Sequence, residues 1–143
     1  MKLKEMMTDR PVQISPEETV AVAARMLSRC NIGSLPVCDQ RGVLKGMVTD
    51  RDLVIRCLAA GRKPEDTKVW EIMTTGVVSA EPEMEARAAA HLMGKQQIRR
   101  LPVVEQGRLC GMISLGDLAN HEESATDAAG ALKDISRGLS VRD

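Results

Sequence analysis

The chain has 143 residues, enough for one compact unit or two very small ones. Its 20 basic and 20 acidic side chains cancel, so no global basic field is available to hold a nucleic-acid backbone. Trp70 is the only Phe, Tyr or Trp, so platforms for stacking bases are missing too.

The core must therefore be built from Val, Leu, Ile, Ala and nine Met. No stretch approaches the roughly 18 apolar residues of a membrane span. The start, MKLKEMMTDRP, lacks the apolar region of a signal peptide, so a cytoplasmic chain is expected. Cys30, Cys38, Cys57 and Cys110 show no C-x-x-C and no histidine at ligand spacing, so no metal site is expected. They read as reduced, mostly buried thiols, with a redox role for Cys30 and Cys38 as the weaker alternative.

In chain order, VQIS (12–15) reads as a short extended segment. Ser15-Pro16-Glu17-Glu18 then announces a helix, with proline and acids in its first turn. Val20, Ala23, Ala24 and Leu27 follow at helical spacing, and Gly33 marks the end. LPVCD (35–39) and VLKGMVT (43–49) form a hairpin around QRG, and a second helix opens at Asp50. Residues 61–71 read as a polar linker, with Trp70 as a packing anchor.

The same order then returns. VVSA (77–80) is extended, Glu81-Pro82-Glu83 opens a helix, and Ala88, Ala89, Leu92 and Met93 give its apolar face up to Gly94. LPVVE (101–105) and LCGMIS (109–114) form the hairpin, and GDLANH begins the last helix of the repeat. Met7-Thr8 recurs as Met73-Thr74, Pro16-Glu17 as Pro82-Glu83, and Leu35-Pro36-Val37 as Leu101-Pro102-Val103, each 66 residues on. Gly46-Met47 recurs as Gly111-Met112 at 65, so one residue is lost in the second hairpin turn. This is a tandem duplication. In the tail, Ala128, Leu132 and Ile135 suit a short terminal helix.

The longest repeated phrase is GMVTDRDL, from Gly46, and GMISLGDL, from Gly111. Ser/Thr followed three residues on by Asp, just before an apolar run, is a capping-box signature. Thr49 with Asp52, and Ser114 with Asp117, therefore read first as helix caps, each worth about 1 kcal/mol. The same groups also suit a ligand. A carboxylate accepts both hydroxyls of a ribose cis-diol. A hydroxyl and free helix amides offer donors to a phosphate. The upstream glycine admits close approach of a ligand or a strand.

Taken together, M-M-T and I-M-T, the S-P-E and E-P-E turns, LPV twice, and G-h-h-[ST]-x-x-D-L twice resemble a pair of CBS domains, a Bateman module. The chain is most similar to stand-alone bacterial pairs of the hypoxic response protein type, which share Thr49-Asp-Arg-Asp52 and Arg99-Arg100-x-Pro-Val. The resemblance implies an α+β fold of two CBS units. Each unit runs strand-helix-strand-strand-helix, and the two pack with pseudo-two-fold symmetry. The implied divisions are 5–60 and 72–120, with a linker at 61–71 and a tail at 121–143.

The resemblance further implies a homodimer and a non-catalytic sensor of AMP, ADP, ATP or S-adenosylmethionine, bound in a cleft between repeats. Asp52 and Asp117 match ribose-binding aspartates, and Thr49 and Ser114 the adjoining hydroxyls. The segments from Thr8 to Val12 and from Thr74 to Val78 match the lining of the base. Arg99 and Arg100 match the basic pair that reaches the phosphate of the ligand held by Asp52. Gly33 and Ser34 stand at the equivalent places of the first copy, so the Asp52 cleft is expected to be the working one. No cofactor is required in this reading.

A structural or partner-binding homodimer with vestigial clefts is the alternative, with an unidentified target protein docking on the tail. An enzyme is not expected. His121-Glu122-Glu123 lacks the second histidine of a metalloprotease helix, and neither a nucleophile elbow nor a phosphate-loop lysine is present. His91 reads as a packed histidine.

Overall fold

The computed structural model describes residues 1–142. The chain gathers into two compact units. The first-repeat unit is Val12–Val77. The second-repeat unit joins Met1–Pro11 to the chain from Val78 onward. Each repeat thus surrenders its leading segment. Leu3 is fully buried in the core with Leu101, Val103, Ile113 and Leu118 of the second repeat. Val69 and Ile72 are buried with Val20, Leu35, Val37 and Val48 of the first.

In the first-repeat unit, helix α1 (Val20–Cys30) is capped by Thr19, whose hydroxyl accepts from the Val22 amide at 3.2 Å. The helix starts one turn later than Pro16 suggests, because Ser15–Glu18 forms a turn. Val20, Ala23 and Leu27 face the core, while Ala24 is exposed. The end is set by Asn31 in the left-handed region, not by Gly33. Strands β2 (Ser34–Cys38) and β3 (Leu44–Thr49) pair antiparallel, with Pro36 opposite Met47. Ile14 adds a parallel bridge to Val37, and Thr74 an antiparallel one to Met47. A single α-turn, α2 (Asp50–Asp52), then passes into a π-helix over Leu53–Leu58. After the short helix α3 (Val69–Ile72), Trp70 is 53% exposed and is no anchor within its unit.

The second-repeat unit repeats this plan with a fuller sheet. β1 (Thr8–Asp9), β5 (Arg108–Ser114) and β4 (Arg100–Glu105) stand in that order, all antiparallel, with a parallel bridge from Ala80 to Val103. Both hairpins shift register at the same place, after Val37 and after Val103. The shortened turn is at Gln106 and Gly107, both with positive φ.

Helix α4 (Ala86–Gln96) buries Ala86, Ala89, Ala90 and Met93, while Ala88 and His91 are exposed. Gly94 lies inside α4 rather than at its end. A Cβ there would meet the Ala131 Cα at 3.1 Å and the Asp134 carboxylate at 2.9 Å. The glycine lets the last helix lie close. After α5 (Leu115–Ala119), that helix, α6 (Ala125–Arg142), runs 18 residues rather than forming a short cap. It buries Ala128, Ala131 and Ile135, while Leu132 is 43% exposed. Among the described residues, no helix is long and apolar enough to cross a membrane.

Candidate functional site

The repeated glycine answers to a strand. A Cβ on Gly46 would stand 2.6 Å from the Thr74 carbonyl oxygen, and one on Gly111 3.0 Å from that of Thr8. Backbone contact this close excludes a side chain at Gly46, while at Gly111 the Met7 side chain would have to give way. Thr74 is tied to Met47 by amide-to-carbonyl bonds of 2.8 and 2.9 Å, one in each direction. In the other unit, β1 pairs Thr8 with Met112.

Each phrase then ends in the expected capping box. The Asp52 amide donates to Thr49 Oγ1 at 3.0 Å, and the Thr49 amide donates to Asp52 Oδ2 at 3.0 Å. The Asp117 amide donates to Ser114 Oγ at 3.0 Å, and the Ser114 amide donates to Asp117 Oδ2 at 2.8 Å. Strand ends and helix starts are clipped alike. The Asp50 amide donates to the Gly33 carbonyl, and the Leu115 amide to the Arg99 carbonyl.

Beyond the caps the two sites diverge. The Thr74 hydroxyl lies 3.2 Å from both oxygens of Asp52 and donates between them. The Arg56 Nε is 3.6 Å from Asp52 Oδ1, and its Nη1 donates to the carbonyls of Ile72 and Met73. Asp52 is 6% exposed as a result. Asp117 is only half-buried, and neither Thr8 nor His121 bonds its carboxylate. His121 instead meets the Asp117 carbonyl through Nδ1 at 2.8 Å. Sequence reasoning named neither Thr74 nor Arg56 individually. Two signals were present: Thr74 is the repeat-mate of Thr8, and Arg56 follows Asp52 at the i,i+4 spacing of a helical ion pair.

The other expected residues are distributed between the units. Thr49, Asp52 and Val12 belong to the first-repeat unit; Thr8, Val78, Arg99, Arg100, Ser114 and Asp117 belong to the second. Val12 and Thr8 are exposed, and Val78 packs against the second core. Arg99 and Arg100 line a groove of about 460 Å³ with Ser114, Leu115, Ala129 and Leu132. Among the described residues, neither guanidinium has a carboxylate within ion-pair reach.

The thiols are free, with Cys30 exposed and Cys38 and Cys57 buried. Burial, and then the Asp39 charge, pushes the Cys38 thiol up to about 11, so it stays protonated and inert near neutrality. No cluster of three or more His, Cys, Asp or Glu fit to hold a metal occurs among the described residues.

Comparison with known proteins places these features in a family. The CBS domain model matches twice, over residues 3–58 and 69–124. The CBS domain-containing protein YhcV of Bacillus subtilis is 45% identical over 134 residues, which is 94% of each chain. The crystal structure of hypoxic response protein I with two coordinated zinc ions superposes with a TM-score of 0.78 at 30% identity, covering 85% of this chain and 98% of that one. CBSX2 in complex with AMP gives a TM-score of 0.72 at 27% identity, covering 81% and 91%.

Proposed function

The chain belongs to the CBS-domain family and carries two of its domains, and on that premise we propose that it is a cytoplasmic regulatory module that binds an adenine nucleotide without transforming it. The observation that carries this reading is the likeness to CBSX2 in complex with AMP. The local chemistry supports it. In the proposed site, Asp52 accepts the two ribose hydroxyls and Thr49 adds its hydroxyl. Arg99 and Arg100 match the family's phosphate-binding basic pair, and among the described residues neither has a carboxylate partner. Thr8, Val12 and Val78 line the base. Ser114 and Asp117 form the second, weaker site.

Magnitudes favour Asp52 over Asp117. A charge-assisted bond to phosphate contributes about 1.5–3 kcal/mol, against about 0.5–1.5 kcal/mol for the hydroxyl contact that a ligand must replace at Asp52. The regulatory effect follows only if the nucleotide binds one conformation better than another.

Titration calorimetry with AMP, ADP, ATP and S-adenosylmethionine tests the reading. Binding below millimolar, weakened about tenfold by Arg99→Ala with Arg100→Ala, is expected. No binding by any of the four contradicts it.

A partner-binding homodimer is the second reading. Val54, Ile55 and Leu58 project from the π-helix at 50–59% exposure, an apolar group suited to a second copy of the chain. Sedimentation should then show a dimer that Ile55→Glu converts to monomer.

A further inference from the structure

We infer that the Thr74 hydroxyl is the resident occupant of the Asp52 site, standing where a ligand hydroxyl must go, and that its displacement sets the affinity and the diol preference of that site. The inference rests on the nucleotide reading above and extends it to a residue with a separate role.

Three observations carry it. The hydroxyl sits equidistant, at 3.2 Å, from both carboxylate oxygens. That is the bisecting position that a cis-diol would straddle with its two hydroxyls. Thr74 has one proton to share between two acceptors, so it satisfies the carboxylate only in part. A diol offers one proton to each oxygen.

Next, Asp52 is closed as it stands. It is 6% exposed, whereas Thr74 itself is exposed. Thr49 holds Oδ2 through a backbone amide at 3.0 Å, and the half-exposed Arg56 stands 3.6 Å off Oδ1, beyond hydrogen-bond reach. The Thr74 hydroxyl is therefore the group to exchange.

Finally, the exchange does not require backbone movement. Thr74 is bonded to Met47 through both its amide and its carbonyl, and Arg56 holds the preceding carbonyls of Ile72 and Met73. With the main chain held, the hydroxyl leaves by rotation about χ1, which takes it from one staggered well to another. Thr74 is thus a positioning residue. It holds the carboxylate in place and gives way to a ligand that brings two donors. A ligand with a single hydroxyl only replaces one bond by another.

The test is calorimetry of AMP and of 2′,3′-dideoxy-AMP on the wild-type chain, Thr74→Val and Thr74→Ser. Thr74→Val removes the competing donor at nearly constant shape and should tighten AMP binding about fivefold. Thr74→Ser should stay within about twofold of wild type, and the gain should vanish for the dideoxy ligand. Circular dichroism melts of each variant confirm that the fold is intact.

Equal AMP binding by wild type and Thr74→Val, or weaker binding by Thr74→Val, overturns the inference and leaves the nucleotide reading standing. Binding by Thr74→Val alone supports both. Binding by neither chain sinks the nucleotide reading and this inference with it.

Discussion

Asp52 and Asp117 are the same residue of the same repeated phrase, and both close a capping box of nearly equal geometry. They differ in what else reaches the carboxylate. Asp52 is covered by Thr74 and flanked by Arg56, while Asp117 keeps Oδ1 clear of both counterparts, Thr8 and His121. The lesson is that a local motif fixes the orientation of a side chain, whereas its availability is decided by a segment from elsewhere in the chain. Here that segment is the start of the following repeat for Asp52, and the start of the chain for Asp117.

The largest difference should come from the glycines. Gly46→Ala drives a Cβ to 2.6 Å from a backbone oxygen, while the nearest atom to the corresponding group at Gly111 is the flexible Met7 sulfur. Urea unfolding should show a loss of about 3 kcal/mol for Gly46→Ala and about 1 kcal/mol for Gly111→Ala. Equal losses would mean that Thr74 yields as easily as Met7.

Next come the carboxylates themselves. Asp52→Ala strips a half-buried amide, a hydroxyl and a guanidinium of their partner and should cost about 2 kcal/mol. Asp117→Ala removes one cap contact and should cost about 1 kcal/mol, measured in the same way. Thr49→Ala and Ser114→Ala probe what the two sites share, and should each lose about 1 kcal/mol. A much larger loss for Thr49→Ala would show that the cap and the Thr74 contact act as one network.

The smallest effect concerns the segment that completes the second-repeat unit. Hydrogen bonds from Lys2 and then Lys4 pull the Glu83 carboxyl down to about 2 from an ordinary 4.5. A carboxyl depressed in the folded state contributes stability above its unfolded value and loses it as pH falls toward the folded one. The melting temperature of the wild type should therefore fall more steeply between pH 4.5 and about 2 than that of Glu83→Gln. The difference should shrink in high salt, because the pairs are solvent-exposed.

How much of this was legible in the sequence follows from the range of each interaction. Both hairpins and both capping boxes rest on neighbours within a few residues, and the duplication on a plain recurrence 66 residues on, so the pattern states them outright. The repeated phrase makes Gly46 and Gly111 places of close approach, and only the fold shows that a strand is what approaches. The grouping of Met1–Pro11 with the second repeat depends on Leu3 reaching a core some 80 residues away, a pairing that no local signal encodes. Trp70 read as an anchor because large aromatics are usually covered, yet it stands on the outer face of a four-residue helix. Leu132 read as core by apolarity alone. Ala131 is buried instead, because α6 lies so close to α4 at Gly94 that only a small side chain fits. His91 falls on the solvent side of α4 for a related reason: Ala86, Ala89, Ala90 and Met93 already fill the inward stripe.

The most direct test of the account is AMP calorimetry on the wild type, Asp52→Asn and Asp117→Asn. We expect binding dominated by one site per chain, weakened at least tenfold by Asp52→Asn and nearly unchanged by Asp117→Asn. Binding that survives Asp52→Asn and is lost with Asp117→Asn would contradict the proposal that the Asp52 phrase carries the working site.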